Sequence, residues 1–529
     1  MTDGGGARMA RRASVVAFFT LLSRILGYAR DAVLAQAFGA GVALDAFVAA
    51  QTIPNVFRRL VAEGTLMIAF VPLLMEERAS RGLEGARGFI AGVLGILLPV
   101  LLVLTLAGVG APGIFVEIFA SGFDEQRAEL ARTMTRIMMP YLFFVSLVAV
   151  AGGALNAFGT FGPPAAAPVF LNLAIIGAVL GFAAGMEAPI LAAAWGVLAG
   201  GLLQLGLQVP FLVRRGIWVL PRWTPSDPAV RRLLARMLPA VFGVGVYQLN
   251  LVVIRQIASF LPEGQLSCYF IATRLEEFAL GVFAVSISIA ALPSLSEHAA
   301  QRDRSAFART FRQAIQATHF VTIPSMVGLL TLTEPIVGTL FRYGAFTELD
   351  ADLTVVLLRV MAFALVPIGV VRVLVPAYYA VGSTKLPVWA AFGSLATTTG
   401  LGILLGTRFE IVGLCVATAA ASVVQSSILV LWFRRRVLSS LGTVPDGDDL
   451  SVWSIAIHAV RCGLATIPWV LVTRLGVDLL DWYRADAHLR FGGLLALVAV
   501  VAALYPLAAG TLGVPEVQAV IHALRRRIR

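Results

Sequence analysis

Arg24, Arg30, Asp31, Asp45, Asn55, Arg58, Arg59 and Glu63 all fall within the first two long apolar stretches of a 529-residue chain, and Arg255, Arg274 and Glu277 fall within later ones. A charged side chain in a bilayer costs at least ~2.5–3.5 kcal/mol on insertion scales, so such residues face a polar cavity or one another. Arginines outnumber acids in this set. A guanidinium stays charged and donates paired hydrogen bonds that fit phosphate and carboxylate oxygens. The chemistry on offer is anion binding inside a membrane; a cation exporter would be expected to centre on unpaired carboxylates.

Helical spacing sorts these residues. The first span begins at Ser14, so Arg24 lies about ten residues in, ~15 Å deep at 1.5 Å per residue. Gly27, Arg30 and Asp31 follow at three, six and seven residues, which at ~100° per residue keeps all four within a sector of ~120°. Snorkelling to the headgroups accounts for Arg30 near the far end of the span but poorly for Arg24. In the second span Asn55–Arg59 and Arg59–Glu63 are four apart, so a local ion pair and a ligand role are both open there. Arg58 has no acid at helical spacing, and Asp45 at the outer edge is expected to be solvated. Pro54 and Gly64 are expected to kink this span. Glu277 can reach Arg274 at a separation of three, whereas Glu276 points elsewhere; Arg255 lies deep in the preceding span.

The elements that must carry these residues follow from composition. The chain is 59% hydrophobic and only 13% charged, with a mean hydropathy of +0.87. Soluble domains carry roughly a quarter charged residues. The expected fold class is an all-α polytopic membrane protein with about fourteen transmembrane helices. Their ranges are 14–38, 42–73, 88–117, 131–158, 165–185, 188–213, 234–260, 266–295, 309–335, 352–380, 386–406, 409–433, 453–475 and 490–512. The first is too long, and lacks the small-residue site, for a cleavable signal peptide. The net charge of +11 is topological rather than a nucleic-acid signature, because arginines recur in alternate loops. That pattern places both termini in the cytoplasm. Three cysteines (Cys268, Cys415, Cys462) form neither a disulfide framework nor a metal spacing. The five histidines (His298, His319, His458, His488, His522) are scattered and expected mostly in loops or at the interface. No catalytic constellation, phosphate-binding glycine loop or metal-ligand cluster stands out, so an enzyme is not expected.

The chain repeats itself. Ala69–Leu74 matches Ala290–Leu295, Ile118–Phe123 matches Leu340–Ala345, and Asn156–Thr160 matches Tyr379–Ser383, at offsets of 221 to 223 residues. Internal repeats of this kind mark secondary transporters. The expected organisation is an N-terminal six-helix lobe (1–213), a basic cytoplasmic linker (214–236), a C-terminal six-helix lobe (237–440), and two extra helices with a basic tail (441–529).

Several motifs lie on these residues: Ser23-Arg24-Ile25-Leu26-Gly27-Tyr28-Ala29-Arg30-Asp31, Phe38-Gly39-Ala40-Gly41, Asp45-Ala46-Phe47, Pro54 through Gly64, Ala69-Phe70-Val71-Pro72, Arg274-Leu275-Glu276-Glu277-Phe278 and Phe341 through Thr347. They closely resemble the MurJ/MviN lipid II flippases of the MOP exporter superfamily, over nearly the whole chain and more weakly after about residue 440. The resemblance implies fourteen helices, two six-helix lobes around a central cavity, and a lipid-tail groove on the last two helices. It implies substrate binding by Arg24, Arg30, Arg58 and Arg274, with Asp31, Asp45, Asn55, Arg59, Glu63 and Glu277 in a supporting polar network; Arg255 lies outside any matched motif. A matching sodium-coordinating carboxylate is not evident.

The function expected from this likeness is flipping of lipid II, an undecaprenyl-pyrophosphate glycopeptide, from the cytoplasmic to the periplasmic leaflet of the bacterial inner membrane by alternating access. Export of another polyprenyl-linked glycan or of small molecules, and a transport-inactive scaffold for cell-wall synthesis, are the alternatives. The expected partners are lipid II, membrane lipids and cell-wall synthesis proteins, with no nucleic acid. No cofactor is expected, and coupling to the membrane potential or to a cation stays open.

Overall fold

The computed structural model describes residues 3–60, 65–442, 452–479, 482 and 486–518, which are mostly helical with no strand among them. The helices are α1 (Asp3–Phe38), α2 (Val42–Arg58), α3 (Thr65–Gly110), α4 (Pro112–Ala120), α5 (Glu125–Ala157), α6 (Gly162–Phe182), α7 (Leu191–Arg214), α8 (Pro228–Ser259), α9 (Gln265–Ala300), α10 (Arg304–Leu340), α11 (Glu348–Ala362), α12 (Leu365–Ala380), α13 (Lys385–Arg436), α14 (Val452–Leu464), α15 (Ile467–Asp478) and α16 (Ala487–Thr511). Hydrocarbon offers backbone groups no water, so a chain this apolar must satisfy them within helices. The loops supply the starts. Asp124, Asp227 and Asp303 cap α5, α8 and α10 by accepting from backbone N–H groups, and Thr347 with Asp350 forms a capping box on α11.

Each of the fourteen expected spans overlaps a helix or a broken pair of helices. Among the described residues, eight helical stretches are long and apolar enough to cross a membrane, or nine with the pair α11–α12, which bends by 44°. α1, α2, α8 and α9, which carry the charged candidates, are not among the eight. Pro54 stays inside α2, which ends at Arg58, and α3 begins at Thr65; Gly64 lies outside the described residues. α3 and α13 each contain a sharp break, at Gly82 (φ 65°) and Glu410 (φ 52°).

The chain divides into two compact units, one of residues 1–267 with Tyr343–Phe346 and one of 268–342 with 347–529. In the first, α6 and α7 approach closely because Gly196 and Gly200 face Ile175 and Leu171 with no side chain between them. α8 packs on α3 and α4, so this unit extends past the expected linker at 214–236. In the second unit α10 is central, with Phe311 stacked on Phe433 at 4.1 Å and the Tyr378 hydroxyl donating to the Leu429 carbonyl at 2.7 Å. The last helices join it through Tyr505, whose hydroxyl donates to the Phe320 carbonyl at 2.9 Å. His319 and His458 correct the expectation for the histidines. Both are buried in helices of this unit, and His458 Nε2 lies 2.9 Å from Glu516 Oε2.

Loops that repeat in sequence also repeat a contact. Gly122 packs against the backbone of Phe260 after α8, and its counterpart Gly344 packs against Gln36 near the end of α1. Ala345 N donates to the Gln36 carbonyl at 2.9 Å, and a Cβ on Gly39 (φ 65°) would sit 2.5 Å from the Ala345 carbonyl oxygen. Glycine is required there both by the left-handed backbone and by the space. Gly39→Ala is therefore expected to destabilise the protein by roughly 1–3 kcal/mol, the usual strain at such a position. Thermal unfolding of the purified variant reads this as a lower midpoint, whereas Gly177→Ala, which meets nothing within 4 Å, should leave it unchanged or slightly raised. Equal midpoints for the two variants would contradict the packing.

Candidate anion-binding site

α1 carries its polar face against α6. Arg30 is buried. Its Nε and Nη2 donate to Asp31 Oδ1 at 2.9 and 2.6 Å, and its Nη1 donates to Asn172 Oδ1 at 3.1 Å. Asn172 Nδ2 donates in turn to the Ser23 carbonyl at 3.0 Å, one residue before Arg24. One amide on α6 thus holds two points of α1 that are seven residues apart, and it sits over Gly27, where a Cβ would come 3.8 Å from Nδ2. Three donors of Arg30 are engaged in fixing the helix, while Arg24 is only half-buried on the same face. Phe18, Leu21 and Ile25 form the exposed, lipid-facing side of α1.

α2 ends at the second group of candidates. Arg58 is its last residue, and Arg59 follows in a π-helical turn; both are half-buried. The Asn55 amide turns back on its own helix, where Nδ2 donates to the Gln51 carbonyl at 2.9 Å. Glu63 lies outside the described residues, and with it the expected Arg59–Glu63 pair.

The structure overturns the solvated reading of Asp45, which is fully buried. Its carboxylate accepts from Gly264 N at 2.8 Å, Ser267 N at 2.9 Å and Ser267 Oγ at 2.5 Å, with Arg127 Nη1 3.8 Å away. Arg127 also donates to Asp124 Oδ2 at 2.5 Å and to the Leu261 carbonyl at 3.4 Å. Glu263 accepts from Val42 N at 3.1 Å, so the start of α2 and the 263–267 loop grip each other at both ends. Asp124, in the loop before α5, is held below the usual carboxylate range chiefly by the Arg127 backbone N–H, then by its guanidinium. A depressed folded-state value means that the contribution of this cap is present above the unfolded value of 3.8 and is lost only as pH falls through the lower folded one.

In the second unit, Arg274 and Glu277 pair at 3.1 Å as their spacing implied, and the Arg274 guanidinium lies 5.0 Å over the Phe270 ring. Glu276 points the other way and is buried. Arg255 is buried on α8 of the first unit, next to Gln256, which accepts from Ser121 N at 3.1 Å. Asn172, Arg127 and Ser267 were not singled out in the sequence. Ser267 had a signal, since it stands 222 residues after Asp45, within the repeat offset. Asn172 had one too, as a lone amide in an apolar span.

The described geometry offers half-buried guanidiniums at Arg24, Arg58 and Arg274, each beside groups that hold its helix; these can neutralise oxyanions without first being stripped of bulk water. Two outcomes are expected. Asn172→Leu removes a bond to a charged group, worth ~1.5–3 kcal/mol, and should lower the unfolding midpoint, with Asn172→Asp intermediate because it keeps only the acceptor for Arg30. Asp45→Ala leaves buried donors at Gly264 and Ser267 unmet, at roughly 1–3 kcal/mol each, and should be the more severe of the two in the same assay.

Comparison with known proteins places this geometry. The family model described as lipid II flippase MurJ matches residues 34–475. The chain is 36% identical over 501 residues to a probable lipid II flippase MurJ of Vibrio cholerae serotype O1, covering 93% of this chain and 94% of that one. It is 35% identical to the corresponding protein of Haemophilus influenzae, covering 92% and 96%. A solved structure of lipid II flippase MurJ in an inward closed conformation superposes with a TM-score of 0.76 at 25% identity, over 94% of this chain and 98% of that one. An inward-facing MATE-family multidrug transporter of the MOP superfamily shares the fold, with a TM-score of 0.68 at 16% identity over 81% and 98%. The motifs on α1, α2 and α9 are carried on the helices of a known membrane fold, and the chain belongs to the lipid II flippase MurJ family.

Proposed function

We propose that the protein flips lipid II from the cytoplasmic to the periplasmic leaflet of the bacterial inner membrane by alternating access, with both termini in the cytoplasm. The observation that carries this reading is 36% identity to a MurJ relative across 93% of the chain. It is supported by the arginines that lie within the apolar stretches of α1, α2 and α9. Moving a pyrophosphate and peptide carboxylates through hydrocarbon requires their charge to be neutralised on the way, and arginine does this with bidentate bonds that no change of pH abolishes. In this reading Arg24, Arg30, Arg58 and Arg274 are the substrate-binding residues. In the same reading the supporting polar network comprises Asp31, Asp45, Asn55, Arg59, Glu63, Arg255 and Glu277, of which Asp31 holds Arg30 and Glu277 pairs with Arg274. The lobes are the repeat-related segments 1–213 and 237–440, joined by 214–236 and followed by the helices of 441–529. No bond of the substrate is made or broken, so no catalytic residue is assigned.

A net negative headgroup leaving a negative interior moves with the membrane potential, at ~2.3 kcal/mol per charge per 100 mV. We propose this as the energy source, with no bound cofactor required. The direct test is reconstitution in vesicles with fluorescent lipid II, scoring headgroup movement by an impermeant quencher. Arg24→Ala and Arg58→Ala should each slow movement by about 10- to 100-fold, the worth of one charge-assisted hydrogen bond. Collapsing an imposed potential should slow the parent protein. Equal movement of lipid II and of an unrelated polyprenyl glycan would assign a broader exporter. Folded arginine variants that still support wall synthesis in cells would assign a scaffold.

A further inference from the structure

The segment between α7 and α8 is not a loose tether. It runs as an extended strap whose backbone is bound to α3: Arg222 N donates to the Ala91 carbonyl at 2.9 Å, and Arg87 Nε donates to the Gly216 carbonyl. Gly92 and Gly95 make room for it, because a Cβ on Gly92 would come 2.7 Å from Thr224 Oγ1 and one on Gly95 would meet the Arg222 carbonyl. With Ile217 buried beneath it, the strap turns its remaining side chains outward. Trp218 is 50%, Leu220 78% and Trp223 67% exposed. This apolar surface continues from Val213, Leu203 and Leu202 on the exposed side of α7.

The charges beside it are of one sign. Arg232 is neutralised by Glu76 and Glu77, at 3.3 and 3.2 Å. Arg214, Arg215, Arg222 and Arg231 are exposed, and no carboxylate lies within ion-pair distance of them among the described residues. Asp227 is occupied in capping α8. Tryptophan and leucine between unpaired arginines, at the end of apolar helices, match the boundary where acyl chains meet anionic headgroups.

We propose that residues 214–231 form a lipid-binding strap, holding anionic phospholipid headgroups of the adjoining leaflet on Arg214, Arg215, Arg222 and Arg231, with Trp218, Leu220 and Trp223 inserted among the acyl chains. The binding is independent of the transported cargo, and the pinned backbone presents the side chains without an ordering cost at each encounter.

The test uses the full chain in nanodiscs containing a minor fraction of chain-brominated phosphatidylglycerol or, at the same fraction, chain-brominated phosphatidylcholine. Tryptophan quenching is compared between the parent and the Trp218→Phe/Trp223→Phe variant, so that the difference belongs to the strap. Strap quenching is expected to be several-fold stronger with the anionic lipid. That preference should drop to near equality in the Arg222→Gln/Arg231→Gln variant, because each arginine near an anionic surface is worth ~1 kcal/mol, about five-fold. Circular dichroism and size exclusion confirm that the variants fold. Equal quenching by the two lipids would overturn the proposal in favour of ordinary interfacial contact. Absence of strap quenching would overturn it by placing the strap away from lipid. No lipid II is present, so failure here is separate from failure of the flipping assay.

Discussion

A guanidinium inside hydrocarbon has no water to bind, so the protein must supply the groups that water would have supplied. Arg30 shows how this shapes the first unit. Its partners are the carboxylate beside it and an amide from α6, and the same amide binds the α1 backbone at Ser23. Solvating one charge fixes the rotation of α1, and with it the direction in which Arg24 faces. Asp45 poses the same problem with opposite sign and is met by two backbone N–H groups, a hydroxyl and Arg127. The charged residues thus include Arg30 and Asp45, whose bonds hold segments together, and Arg24 and Arg58, which are half-buried.

The second organising constraint is close backbone approach along repeated segments. Gly122 against Phe260 and Gly344 against Gln36 are one contact made twice, and Asp45 binds a serine that occupies its own position in the following repeat. Within the first unit, equivalent positions of the repeat therefore meet directly, as Asp45 meets Ser267. Glycine is needed where those segments touch because no side chain fits between the two backbones.

Arginines at the other end of the first unit serve a different purpose. Arg87 and Arg232 tie the linker and its flanking helices to α3, and Arg215 Nε donates to Thr160 in the α5–α6 turn, while Arg214, Arg215, Arg222 and Arg231 all stay exposed.

Much of this was legible in the residues alone. Hydropathy and helical period disclosed an all-helical membrane protein, the offset near 222 disclosed the repeat, and the arginine motifs on α1, α2 and α9 disclosed the family. The Arg274–Glu277 pair was legible for the same reason, because three residues along a helix is a fixed distance. Periodicity describes one helix at a time, so contacts between helices were not legible in it. The sequence by itself determined which residues are charged, on which helix and on which face. Only the tertiary structure decided that Asp45 is buried rather than solvated and that Arg30 is held by Asn172. Both depend on what a segment more than a hundred residues away brings within hydrogen-bonding distance.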